Sequence, residues 1–190
     1  TDQLTADFQA RYTDEKKSVA VTAPILPVET RYSKNSKHFK FFTGKAGLRY
    51  TLNDDWMIYS SLSNGVKAGG FDIEEVQVLI DGGASSEDRI IIAPYDEEKI
   101  LAFELGAKGS LADGRVRLDL SIYRMNWDDI IIPQLFNEDP TTGDPLEQPE
   151  GFNTNAGDAT VNGFEVQGDI SFTDNWFSGF GVSYTDSTMD

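Results

Sequence analysis

The sequence contains no cysteine and a single histidine, His38, and it lacks any apolar run of about 18 residues. Without cysteine, the chain has no disulfide framework, thiolate zinc site or cysteine nucleophile. His38 lies among Ser36, Lys37 and Lys40, and a histidine in such a polar segment is far more often a solvated side chain than a ligand or base. No segment is long and apolar enough to form a transmembrane helix.

Basic residues are scarce as well. In 190 residues there are 16 Lys and Arg against 32 Asp and Glu, a formal net charge of −16. Because no basic surface offsets phosphate charge, we expect no nucleic-acid partner. The same charge argues against docking onto an anionic lipid leaflet. No nucleophile–base pair or phosphate-cradling glycine loop is recognisable, so we expect neither an enzyme nor a bound cofactor.

What the sequence has in quantity is alternation of apolar and polar residues. Aromatic residues make up 12% of the chain, and with 17 glycines this composition suits an all-β protein. Since successive strand side chains point to opposite faces, an alternating segment forms a strand with one apolar and one polar face. We predict about seven such strands, over residues 4–13, 39–52, 56–63, 100–111, 115–129, 161–172 and 176–186.

Short and long connections alternate between these strands. Turns of about three residues at 53–55, 112–114 and 173–175 alternate with long segments at residues 14–38, 64–98 and 128–160, which we expect to be loops. Compact soluble domains rarely hold several loops of that length, whereas outer-membrane barrels combine tight periplasmic turns with long outer loops. The pattern predicts a segment of an antiparallel up-and-down transmembrane β-barrel, with its apolar face toward lipid.

Both ends of the chain indicate a fragment. Residue 1 opens almost directly into an alternating segment, and the chain stops at Asp190 just after a strong strand. An odd number of strands with an unpaired edge at each end cannot form a complete barrel in lipid. We therefore expect residues 1–190 to be part of a larger barrel domain.

Four segments resemble, in order, segments of the TonB-dependent outer-membrane receptors. Residues 11–17 (RYTDEKK) look like the family's GLRYTxEKK strand end, and residues 59–71 (YSSLSNGVKAGGF) are similar to its YASxSxGFKSGGFN segment. Residues 95–108 resemble its YxPEK…YElGxK segment, and residues 155–165 its NAGxAxxxGxE segment. The chain departs from the family at Glu97, where proline is usual, and at Val66, where an aromatic is usual.

The resemblance implies which residues shape the backbone and what the whole protein does. The matching positions are Gly65, Lys67, Gly69, Gly70, Phe71, Glu104, Gly106, Asn155, Gly157, Gly163 and Glu165. The family implies a Gram-negative outer-membrane barrel of about 22 strands around an N-terminal plug. Its members take up a siderophore–iron complex, a vitamin or a glycan-type ligand through the TonB complex, which contacts the plug. The plug and the closing strands are absent from this chain.

Two other classes of function stay open. A passive porin-like outer-membrane barrel would lack an upstream plug. A soluble all-β binding domain or glycosidase would have shorter loops, and a glycosidase would hold two carboxylates about 5 to 10 Å apart. Because the chain has 32 acidic residues, such a pair can arise by chance and is no evidence for a glycosidase.

Tyr123, Met125 and Trp127 are the candidate ligand-binding residues. They are apolar on the parity opposite to that of the preceding residues, Val116, Leu118, Leu120 and Ile122. Either a β-bulge after Ile122 slips the register, or the strand has left the lipid there and the three side chains face the lumen. The first alternative makes them an outer aromatic girdle, and the second makes them candidate ligand contacts.

The acidic segments at residues 72–98 and 128–158 raise the question of calcium. Hard cations take several carboxylate oxygens, but no stretch has the spacing of an EF-hand. A solvated outer surface is the commoner reason for such charge, and we assign no metal site.

Overall fold

The computed structural model describes residues 3–22 and 32–189, and it is built from strands. These are β1 (Leu4–Thr22), β2 (Tyr32–Thr51), β3 (Trp56–Lys67), β4 (Gly70–Ile80), β5 (Ser85–Tyr95), β6 (Glu98–Leu111), β7 (Val116–Glu138), β8 (Pro145–Thr173) and β9 (Trp176–Met189). A short 3-10 turn, Asp81–Gly83, joins β4 to β5. No helix in the described residues has the length and apolar character to span a membrane.

Seven of the strands form one curled antiparallel sheet in the order β1-β2-β3-β6-β7-β8-β9. These seven correspond to the seven predicted strands, and the up-and-down order and all-β class are confirmed. Strands β4 and β5 form a separate hairpin between β3 and β6 in the chain. It joins the sheet at one point, where Val78 pairs with Leu146 of β8.

The three predicted tight turns are present, and the first two have clear local causes. In the first, the Asn53 Oδ1 accepts hydrogen bonds from the backbone N–H groups of Asp55 and Trp56, each at 2.9 Å. In the second, Ala112, Asp113 and Gly114 have φ of 54°, 57° and 82°, the left-handed geometry that reverses a chain between paired strands.

The register gives the sheet one apolar and one polar face. Cross-strand partners share a face, and rows such as Phe8–Ala46–Leu62–Phe103 and Leu120–Val166–Val182 are apolar, the first of them as far as Arg124 of β7, which stands opposite Phe103. These side chains stay uncovered: Phe8 is 77% exposed and Val182 59%. Such a broad apolar face is the one that a membrane barrel turns to lipid, and the opposite, polar face then lines the lumen.

The three long segments predicted as loops are β-hairpins, which corrects that prediction. In the first segment, β1 continues to Thr22 and β2 begins at Tyr32. Strands β4 and β5 fill the second segment. In the third, β7 continues to Glu138 and β8 begins at Pro145. Residues 23–31 of the first segment lie outside the described residues. The prolines and acidic residues of these segments led to the loop prediction. Pro94, however, lies on β5, an edge strand of the sheet, where a residue without a backbone N–H donor is tolerated.

The hairpins hold together because they pack on one another. One face of the β4–β5 hairpin buries Val76, Val78 and Ile91 against Leu146 and Phe152 of β8. The other face places Ile90 and Ile92, together with Phe71, against Val19 and Val21 of β1. The β4–β5 hairpin is therefore the middle layer of three, and the buried apolar residues of the described chain lie here and at Phe39 and Ile130, not in the membrane-facing rows.

We predict that a charge on the apolar face destabilises the sheet in a bilayer. Arg or Lys at Leu118 or Val182 should cost about 2 to 4 kcal/mol in the assembled barrel if the site lies near mid-membrane. Urea unfolding of the full-length receptor in lipid vesicles measures the cost. The matched control is Ser183→Arg, one residue along on the polar face. Equal stability of the Val182→Arg and Ser183→Arg variants would contradict the assigned faces.

Candidate functional site

Tyr123, Met125 and Trp127 lie on the polar face of the sheet. The pairing of β7 with both neighbours runs without a register shift from Val116 to Trp127, so no bulge follows Ile122. Tyr123 stands opposite Glu104 on β6, on the face that a barrel turns to its lumen. Of the two alternatives left open by the sequence, the register therefore favours the lumen-facing one.

Two tyrosines of this face each lie across a glycine of the next strand. The ring of Tyr59 covers Gly106, and the ring of Tyr123 covers Gly163, so closely that a side-chain carbon at either glycine would overlap the ring. The Tyr59 hydroxyl donates to Glu104 Oε1 at 2.7 Å. The Tyr123 hydroxyl and Thr185 Oγ1 are 2.8 Å apart. The glycines thus let the tyrosine rings lie flat along the wall, so that Tyr59 reaches Glu104 on the same strand as its glycine and Tyr123 reaches Thr185 on the strand beyond its glycine.

A β-bulge interrupts β7 immediately above Trp127. The register shifts between Trp127 and Ile130, and Asp129 has φ of 59°. The Asp129 N–H donates to Asp158 Oδ1 at 3.0 Å, which holds the bulged backbone in place. Bulges bend a strand and redirect its side chains, and here the bend separates the wall that carries Trp127 from the outer hairpin.

Asn155 ties three segments together at this bend. Its Oδ1 accepts from the Asp96 N–H at 2.7 Å, and its Nδ2 donates to the carbonyl oxygens of Asp96 at 3.1 Å and Asp129 at 2.9 Å. An asparagine supplies both the acceptor and the two donors that this geometry uses, which an aspartate or a leucine cannot. The side chain fixes the β5–β6 connection to the bulge.

Lys17 and Gly69 form a second tie at the same level. The Lys17 Nζ donates to the carbonyl oxygen of Gly69 at 2.6 Å. Gly69 has no room for a side chain, because a carbon there would overlap the carbonyl oxygen of Tyr95. Segments from all four family-like stretches, at residues 17, 69, 95–96 and 155, therefore meet in one place, which we call the rim junction.

A buried carboxylate completes the rim junction. The Glu98 side chain is only 5% exposed, and its Oε1 accepts from Lys67 Nζ at 3.0 Å and from the Ile131 N–H at 3.1 Å. A buried charge persists only when it is paired and hydrogen-bonded, and these two donors supply that. Lys67 is thus placed by a specific partner.

Phe39 packs beneath the junction and is 1% exposed. The ammonium groups of Lys17 and Lys37 lie 5.4 and 5.6 Å from its ring centroid. Lys37 also pairs with Asp96 at 2.5 Å. The two lysines on this inward face are therefore occupied by the junction itself.

The remaining family-like residues have structural places. Gly65 lies opposite Ile100, whose Cγ2 would be 2.9 Å from an added side-chain carbon, and Gly157 lies opposite Ile130 at the bulge. The Tyr95 ring covers Gly70. Phe71 packs with Ile90 and Ile92, and Glu165 lies on the polar face opposite Ser121 and Ser183.

Ion pairs and closely spaced acidic side chains shape the outer hairpins. Arg89 donates to Glu87 at 2.5 Å and to Asp144 at 2.7 Å, which joins the β4–β5 hairpin to the β7–β8 turn. The hydrogen bond from Arg89 lowers the pKa of Asp144. Desolvation, with the charges of Asp72 and Glu150, raises the pKa of Glu74.

In residues 3–22 and 32–189, no group of three or more His, Asp or Glu side chains is arranged to hold a metal ion. The buried side chain of Asp139 holds a turn together. Its Oδ1 accepts from the Thr141 N–H at 2.7 Å and the Thr141 hydroxyl at 2.6 Å, which closes the β7–β8 turn.

Sequence reasoning missed Lys17, Phe39 and Glu98 as junction residues. Lys17 belongs to a family-like segment, but nothing in its local pattern points to a carbonyl group some 50 residues away. A signal for β5 was present in the apolar run of residues 90–93, which is typical of a strand buried on both faces.

Comparison with known proteins decides the family. A sequence model described as TonB dependent receptor-like, beta-barrel, matches residues 1–190. The chain belongs to this family. Its members are transport receptors of the Gram-negative outer membrane, and the chain is part of such a barrel.

Relatives of the receptor segment are longer proteins. A probable TonB-dependent siderophore receptor, PiuA of Acinetobacter baumannii, is 26% identical over 154 residues, 78% of this chain and 17% of that protein. The ferric yersiniabactin uptake receptor FyuA from Yersinia pestis has a TM-score of 0.70 at 18% identity, covering 100% of this chain and 25% of that one. The structure of PiuA gives a TM-score of 0.63 at 20% identity, over 98% and 23%. The chain spans about a quarter of these relatives or less.

We predict that Asn155→Ala loosens the β4–β5 hairpin. Loss of its hydrogen bonds should cost about 1 to 3 kcal/mol locally, because the Asp96 and Asp129 groups lose their partner. Hydrogen–deuterium exchange of the full-length receptor should then be faster in β4, β5 and residues 96–98. Thr154→Ala is the control, one residue along the same strand. Unchanged exchange in the Asn155 variant would show that the junction does not depend on this side chain.

We predict that acid loosens the hairpin tips through Asp144. A carboxyl whose folded pKa is lowered below its ordinary value of 3.8 contributes stability above that value. This contribution is lost as the pH falls through the lowered pKa, when Asp144 is protonated and its pair with Arg89 is lost. Hydrogen exchange at residues 85–89, measured from pH 5 downward and divided by the intrinsic amide rate at each pH because that rate itself falls in acid, should show a loss of protection only below about pH 4. An Asp144→Asn variant should show low protection at every pH and no such step.

Proposed function

We propose that residues 1–190 are part of the barrel wall of an outer-membrane transporter that takes up its ligand with the TonB complex. The plug that contacts TonB and the remaining strands belong to other parts of the protein. The family match over the whole chain carries this proposal. Coverage of only 17 to 25% of the relatives supports a partial barrel domain.

The ligand we propose is a siderophore–iron complex, with a vitamin or glycan-type ligand as the other classes in the family. One relative, PiuA, is described as a siderophore receptor, which supports the first class. The inward position of Tyr123, Met125 and Trp127 supports their role as ligand contacts. Trp127 is 38% exposed beneath the bulge, so its ring is accessible from the lumen side.

The chemistry of these side chains suits a bulky chelate. Aromatic and thioether groups offer large, adaptable contact surfaces with little hydrogen-bonding demand. The rim junction holds the β7 bulge above them, so the three side chains lie on a part of the wall whose backbone is fixed by hydrogen bonds.

Uptake measurements test the transporter proposal. Cells carrying the full-length receptor are supplied with radioiron bound to hydroxamate, catecholate or mixed-type chelates. We expect uptake of at least one chelate to be lost when either the receptor or TonB is deleted. Uptake that persists without TonB would identify a passive barrel instead. A receptor-dependent uptake of cobalamin or maltodextrin, with none of iron chelates, would replace the siderophore by another class.

We predict that Trp127→Ala weakens binding of the transported chelate by about tenfold or more, as truncation of a central aromatic contact does. Binding is measured by fluorescence titration of the purified full-length receptor with that chelate. The control is Asn126→Ala, because Asn126 is the next residue on β7 and lies on the opposite face. Equal affinities of the two variants would mean that the three inward residues line the wall without contacting ligand.

A further inference from the structure

Glu98 is a buried carboxylate at the point where β6 begins. Its Oε1 accepts hydrogen bonds from Lys67 Nζ at 3.0 Å and from the Ile131 N–H at 3.1 Å. The pairing of β6 with β7 starts one residue later, between Lys99 and Asp128. Beyond Asp128 this pairing has ended, so the Glu98 carboxylate takes the place of a strand partner for the backbone of Ile131.

The hydrogen bond from Ile131 closes the bulge of β7. The register of β7 shifts twice between Trp127 and Ile131. On the β8 side of the bulge, Asp158 Oδ1 accepts from the Asp129 N–H at 3.0 Å. On the β6 side, Glu98 accepts from Ile131. Side chains from both neighbouring strands therefore hold the bulge immediately beyond Trp127.

The position of the bulge decides which way the three inward residues, Tyr123, Met125 and Trp127, point. Between Val116 and Trp127 the pairing has no shift, so these side chains face the lumen. Arg124 then faces outward, opposite an apolar side chain of β6. A bulge placed before Tyr123 instead would shift this stretch by one position and exchange the two faces. The bulge thus selects the residues that line the lumen.

The composition of the stretch favours the exchanged arrangement. It would bring the three large apolar or aromatic side chains beside the apolar residues of β6, and it would move the charge of Arg124 off the membrane-facing side. The bulge nevertheless lies after Trp127, where side chains of the rim junction meet the backbone. The Tyr123 hydroxyl, 2.8 Å from Thr185 Oγ1, adds a contact on the lumen side. These hydrogen bonds offset the less favourable pattern.

We propose that Glu98 is a positioning residue for the ligand contacts of this receptor. Its carboxylate, held by Lys67, fixes the bulge beyond Trp127 and so keeps the three inward residues turned to the lumen. Glu98 itself touches no ligand in this arrangement. The proposal rests on the proposed function, in which those three residues contact the chelate, but the orientation of Trp127 can be measured without any chelate.

Quenching by brominated lipid measures that orientation. The purified full-length receptor, with and without Trp127→Phe, is placed in vesicles of brominated phosphatidylcholine, and the difference in fluorescence isolates Trp127. We expect no quenching of Trp127 in the wild-type receptor. Glu98→Ala removes the acceptor for the Ile131 N–H, so Trp127 should turn outward and lose fluorescence to the lipid. Glu98→Gln keeps an amide oxygen as acceptor and should retain the wild-type behaviour.

Affinity measures the consequence for binding. Ferric complexes of a hydroxamate, a catecholate and a mixed-type chelator are titrated with the wild-type receptor, Glu98→Ala, Trp127→Ala and the double variant. Glu98→Ala should weaken binding of the transported chelate about tenfold or more. Because Glu98 acts through Trp127, the double variant should bind about as weakly as Glu98→Ala alone, with no further additive loss. The control is Glu97→Ala, the neighbouring acid, which should bind as the wild type does.

Three results would overturn the proposal. The first is quenching of Trp127 by brominated lipid in the wild-type receptor. The second is the absence of such quenching in Glu98→Ala. The third is an additive loss in the double variant, which would mean that Glu98 and Trp127 act independently. If Glu98→Ala does not fold, Ile131→Pro removes the same hydrogen bond from the donor side, and an unquenched Trp127 in that variant would contradict the proposal.

Discussion

An apolar sheet face with no protein packed against it determines the rest of this structure. In water the exposed rows through Phe8 and Val182 would drive aggregation, and in lipid they are the stabilising surface. The charges of β7 between Val116 and Ile122 accordingly lie on the other face, and the first charge on the apolar face of this strand is Arg124, opposite Phe103. A slip by one residue would exchange the two faces, so the register is strongly specified. The tight turns hold that register at one end of the sheet.

Above the membrane the same strands no longer have lipid to cover them. The three hairpins stack, and the middle one buries apolar side chains on both of its faces. The rim junction lies between the strands that lipid covers and the stacked outer hairpins. Asn155, Lys17 and Glu98 satisfy backbone groups that the bulge and the glycine-rich connection leave without strand partners. The four family-like segments are therefore held by one shared set of hydrogen bonds, and they do not each have a separate structural role.

The three hairpins differ in charge as well as in position. Two are strongly acidic, while the β1–β2 hairpin carries its lysines in two sets that face opposite ways. The inward set is engaged with Phe39, Asp96 and carbonyl oxygens, whereas the outward set, Lys16, Lys34 and Lys40, is exposed. Strand alternation alone produces this division, because Lys16 and Lys17 are neighbours in sequence and lie on opposite faces of one strand.

Alternation along the chain was enough to predict the seven sheet strands, their three tight turns and which residues share the apolar face, because each strand's period-two pattern is local information. It was not enough to predict β4, β5 or the outer arms of β7 and β8. Their packing partners, such as Phe152 for Val76, lie far away in sequence, and their many acidic residues give them the composition of a loop. The orientation of Trp127 also needed the tertiary structure, since only pairing with both neighbours shows that the register shifts after it and not before it. Local periodicity reports which residues share a face, whereas contact between faces depends on strands that only the folded chain brings together.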